Sequence, residues 1–123
     1  MNNLGWSSTT MTFATALEHK IRFALEPDHS AIIRQYLDLV PTNYSSDITL
    51  QRLHFVLQCS LLTETIADEL LPAHWRCQCL DHFYLPLGAL SRLADNDTSR
   101  AQVLSISYEM QIVVGYIQAG LVV

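Results

Sequence analysis

Apolar residues recur at every third or fourth position along most of this 123-residue chain, in runs that stop and restart at prolines. That period belongs to helices with one wet face, whereas a half-buried strand would alternate at every second position. Pro27, Pro41 and Pro72 each fall between two such runs. There a ring without an N–H ends one helix or opens the next. The pattern therefore predicts an all-α chain: a compact bundle of about five helices around a long central one.

The runs can be placed. A polar lead-in over 1–10, with Trp6 as a candidate anchor, precedes a single helical domain over 11–123. From Met11 to Leu25, Phe13, Leu17, Ile21 and Leu25 repeat every four residues. After Glu26-Pro27-Asp28, with Asp28 as a candidate cap, Ile32, Ile33, Tyr36, Leu37 and Val40 make a second stripe that stops before Pro41. Ser46 or Asp47 is placed to cap a helix over Ile48–Leu71, expected to be the longest and the central pillar. Its rows Leu53-Leu57-Leu61 and Leu62-Ile66-Leu70 drift around the cylinder, which predicts contact on several sides and a buried Leu57. A helix over Ala73–Leu85, carrying Trp75, Leu80, Phe83 and Tyr84, is interrupted by Pro86 and Gly88, where a kink or a short second piece ending near Ala94 is expected. Asp95 to Ser99 reads as a loop and cap, and Val103, Ile106, Met110, Val113 and Ile117 mark the buried stripe of the last helix.

Charge narrows the function classes. Charged residues make up 15% of the chain, against about 25% in ordinary domains. Lys20 is the sole lysine beside six arginines. Lysine is depleted from protein interfaces and arginine is enriched there, so this balance favours a partner-covered surface. A net charge of −5 with scattered bases argues against a phosphate-backbone binder, and no nucleic acid is expected. A helix-turn-helix over Tyr84–Arg100 would carry too little basic charge to hold DNA. No apolar stretch is long enough to span a membrane. Cys59, Cys77 and Cys79 cannot all pair within one chain, and the start lacks a basic and apolar leader, so the expected home is the cytoplasm.

Motifs that carry chemistry are few. His74-x-x-Cys77-x-Cys79-x-x-His82 has zinc-ligand residue types, but on one helix the four side chains fan over about 200°, so no metal is expected there. The carboxylate pairs Glu64/Asp68 and Glu26/Asp28 sit on turns and polar faces that favour solvated charge. Gly115 and Gly120 mark close helix packing or fraying rather than a phosphate loop. No catalytic residues and no cofactors follow from these features.

What remains is interaction. The end of the chain, from Ile112 to Val123, has one polar side chain, Gln118, and offers apolar groups on nearly every face of a helix. The expected function is a non-enzymatic helical interaction module, a small acidic adaptor or chaperone acting as a homodimer or with a protein partner. Tyr108, Val114, Tyr116, Leu121 and Val122 are the candidate contact residues. A transcription-linked regulator is the alternative, and a small helical enzyme a more distant one.

Overall fold

The computed structural model describes residues 8–39 and 47–121, the side chains at 8 and 121 excepted. Six helices and no strand form among them: α1 Ser8–Arg22, α2 Ala31–Leu37, α3 Ile48–Ala67, α4 Ala73–His82, α5 Tyr84–Leu93 and α6 Asp97–Leu121. The all-α expectation holds. The expected lead-in over 1–10 and the candidate anchor Trp6 lie largely outside the described residues, and α1 starts at Ser8, three residues ahead of Met11.

Helix α3 is central, packing against α1, α4, α5 and α6. Asp47 caps it as expected, with its carboxylate accepting from the Thr49 and Leu50 amides at 2.9 and 3.3 Å. It stops at Ala67 rather than Leu71, because Asp68 turns extended and is held by the Arg22 guanidinium at 2.8 Å. At 25 residues α6 is longer than the 20-residue α3, so the longest helix is the last one.

The inner face of α3 differs from expectation. His54, Gln58, Cys59, Leu62, Thr65 and Ile66 are buried. Leu57 is 45% exposed, and Leu53 lies beside it in the exposed row Leu53-Leu57-Ser60-Glu64-Ala67. The reason is the register: these five positions lie four and three apart, on one helical face, and Ser60 and Glu64 keep that face in water. The same drift exposes Phe13 and Leu25, so α1 buries Ala14, Leu17 and Ile21 instead of the whole four-residue row. Tyr84 and Leu70 are likewise exposed.

The stretch 73–94 is two helices, so of the two expected outcomes the short second piece ending near Ala94 is the one that forms. Pro86 lies in the first turn of α5, fully buried, where its missing N–H leaves no bond unmade. A continuous helix would need that N–H for the His82 carbonyl, so α4 ends at His82 and the chain bends at Phe83. Helix α2 starts at Ala31, and neither Asp28 nor Ser30 caps it with its side chain. Val40 falls outside the described residues. Before α6, Asn96 is the capping residue: its side-chain oxygen accepts from the Ser99 amide at 2.8 Å, and Ser99 Oγ accepts from the Asn96 amide at 3.2 Å.

Polar side chains from one helix close the C-terminal ends of others. The Trp75 indole donates to the Ile21 carbonyl at 2.9 Å, and Gln58 Nε2 to the Leu37 carbonyl at 3.3 Å. Arg76 Nε donates to the Ile66 carbonyl at 2.8 Å, and Arg52 Nη2 to the Leu93 carbonyl at 2.9 Å. The last carbonyls of a helix have no partner within it, so these bonds satisfy acceptors at buried helix ends, and at Ile21 the indole adds to a 3.3 Å bond from the Ala24 amide. That is why polar Gln58 and Arg76 are buried while Leu57 is not.

Candidate interaction surface

The groups with chemical potential are dispersed. Cys79 is fully buried in the core and Cys77 is half-buried. His74 lies on the outside of α4, with its Nε2 3.2 Å from the Pro27 carbonyl. His82 Nδ1 donates back to the Gln78 carbonyl at 2.7 Å. Among the described residues, no three of His, Cys, Asp and Glu gather into a group that could hold a metal ion. Burial pushes the Cys59 and Cys79 thiols up to about 12, so neither is a thiolate near neutrality.

Several carboxylates are held by cations, whereas burial raises Glu18, which shares a hydrogen bond with Tyr36. The Arg22 guanidinium, with help from the Leu70 amide, holds the Asp68 carboxyl below its ordinary value, and Glu64 stands 3.9 Å from the same guanidinium. Lys20, at 2.9 Å, does the same to Glu26. His54 is buried, and desolvation lowers it to about 4. Its Nε2 lies 3.1 Å from Gln58 Nε2, which can only donate, so that ring nitrogen accepts and the proton sits on Nδ1. Two hollows flank α6: about 220 Å³ beside Cys59, Ser60, Thr63, Glu64 and Glu109, and about 250 Å³ beside Ser91, Ala94, Arg100, Val103 and Leu104. Both fall below the roughly 300–1,000 Å³ of ordinary small-molecule pockets.

The feature that stands apart is α6. Its inner stripe is the one the periodicity gives: Met110 and Ile117 are buried, and Val103, Ile106 and Val113 pack against the core. On the opposite side Leu104, Tyr108, Ile112 and Tyr116 are 70%, 66%, 46% and 76% exposed. With about 100° per residue, this outer row centres roughly 160° from the inner one. Ala101, Ser105, Gly115 and Ala119 fill the same arc, Arg100 and Glu109 lie outside it, and the one charged residue of α6 within it is Asp97 in the first turn. A helix at the edge of a bundle needs one apolar face, and this one has two.

Of the candidate contact residues, Tyr108 and Tyr116 are on that outer face. Val114 is half-buried and packs against the core, because its position flanks the inner stripe. Leu121 closes α6 with its side chain outside the described set, and Val122 lies outside the described residues. Leu104 and Ile112 were missed, although their four-residue spacing with Tyr108 carries the signal. Gly115 does not mark close packing within the chain: a methyl placed on it would meet nothing within 4 Å. Comparison with family models, with curated proteins and with solved structures finds no match for this chain.

Proposed function

We propose that the protein is a non-enzymatic interaction module, an adaptor or chaperone in type, which binds protein through the outer face of α6. The uncharged apolar row Leu104-Tyr108-Ile112-Tyr116, opposite a complete inner stripe, is the observation that carries this reading. A soluble domain rarely leaves a contiguous patch of this kind in water unless something covers it. Tyrosine suits such a surface because it brings large area with few rotatable bonds and a hydroxyl that tolerates water. The Arg22–Asp68 and Lys20–Glu26 pairs and the protonated Cys59 and Cys79 thiols are held in unreactive forms, which supports binding over chemistry at those groups.

The test is site-specific photocrosslinking in the native host. A benzophenone side chain in place of Tyr108 or Tyr116 should yield a discrete protein adduct, whereas the same group at exposed Asp47 should not. Equal yields at all three positions, or none at any, would overturn the reading.

A further inference from the structure

Resting on that reading, we propose that the occupant of the α6 face is a second copy of this chain, packed antiparallel about a twofold axis beside Met110. A twofold contact requires residue i to meet j while j meets i, so the face must complement its own reversal. This one does. Ala101 and Ala119, Leu104 and Tyr116, Ser105 and Gly115, and Tyr108 and Ile112 stand 9, 6, 5 and 2 residues to either side of Met110. In an antiparallel pair each small residue is therefore level with a small one across the seam and each large residue with a large one. The backbones approach at Ala101 and Ser105 while the tyrosines, Leu104 and Ile112 fill the space between.

Three further observations agree. A glycine inside a helix destabilises it relative to alanine. The open space around Gly115 gives that residue no role within the chain, while opposite Ser105 of a second copy it permits close approach. The area is also adequate. At the exposures given above, the four large side chains present roughly 600 Å², and with the small residues between them the face nears the about 800 Å² per partner of a standard stable interface. Finally, Leu104, Tyr108, Ile112 and Tyr116 carry no charge that would select a charged foreign partner.

The experiment uses the purified full chain. Sedimentation equilibrium should give about twice the 13.9 kDa chain mass at micromolar concentration. Gly115→Gln should retain the helical spectrum and match or exceed the wild-type melting temperature in dilute solution, while weakening self-association by at least about tenfold. An equimolar mixture of Ala101→Cys and Ala119→Cys chains should form a disulfide-linked mixed dimer. Neither variant should link to itself, because like positions at 101 lie about 27 Å apart along an antiparallel pair. Self-linking of either variant alone would overturn the antiparallel arrangement, and a dimer indifferent to Gly115→Gln would overturn the face. A strictly monomeric chain at high micromolar concentration would overturn the second copy as occupant. Photocrosslinks to a foreign protein would in that case leave the interaction module standing.

Discussion

His54 gives this fold a defined sensitivity to acid. The imidazole is buried and held neutral, with its affinity for a proton lowered to about 4 by desolvation, against an ordinary 6.5 when unfolded. Above pH 6.5 the ring is neutral in both states and adds no pH dependence. As pH falls from 6.5 towards 4, the unfolded chain takes up the proton and the folded chain does not, so stability falls with pH. The difference of about 2.5 pKa units corresponds to roughly 3 kcal/mol in full, and about 2 kcal/mol of it is spent by pH 5. Asp68 and Glu26, whose pKa values are lowered by Arg22 and Lys20, lose their stabilisation only below their ordinary values of 3.8 and 4.5. Glu18, raised above 4.5 by burial, gains stability as pH falls and opposes this loss, so His54 is read between pH 6.5 and 5 as the difference between wild type and His54→Gln. Urea unfolding at one fixed protein concentration, at pH 7.5 and pH 5, should show the loss, and His54→Gln should flatten it even if that variant is less stable throughout. A wild-type curve with no loss between those pH values, or an unaltered slope in His54→Gln, would refute the desolvated neutral histidine.

Three other expectations follow from burial and bonding. Leu62→Ala should cost roughly 2–5 kcal/mol by transfer loss and cavity, whereas Leu57→Ala on the exposed row should cost less than about 1 kcal/mol, both by urea unfolding. Arg76→Met keeps much of the side-chain bulk but strips the donor from the buried end of α3, which should cost roughly 1.5–3 kcal/mol; recovery of full stability in that variant would show that the bond contributes nothing. Iodoacetamide on the native protein at mildly alkaline pH should modify half-buried Cys77 first, with Cys59 and Cys79 reacting only on unfolding, as peptide mass mapping over time would show.

The helices and their order were readable because solvent imposes a period on every amphipathic segment. The stripe of α6 through Met110 and Ile117 and the Asp47 cap are read in this way. The inward face of α3 was not, because hydrophobicity is spread around that helix. What decides the face is where carbonyls on other helices need donors: Gln58 turns inward to reach Leu37, and its neighbour His54 follows. No local pattern contains that information. The second helix ending near Ala94 was legible as one of two outcomes, since Pro86 cannot supply the amide that a continuous helix requires. The outer face of α6 was half legible. The two tyrosines were identified, whereas Val114 was assigned outward because apolar crowding near the end of the chain hides which side faces the bundle.

The long-range bonds to helix ends have a consequence for how this chain comes apart. Ordinarily the last turn of a helix frays first, on its own and at little cost. Here α1 is closed by a residue 54 positions later, and α5 by one 41 positions earlier. Opening the end of either helix therefore means releasing a side chain seated in a different one, and α3 and α4 each hold the end of a neighbour. Local and global opening are coupled by this arrangement, so the amide protons at those turns should exchange with solvent together with the core. A fragment cut between α2 and α3 would leave the first piece with helix-end carbonyls at Ile21 and Leu37 short of their donors, and the second with Trp75 and Gln58 short of their acceptors. Independence of the parts has been given up for a single concerted transition.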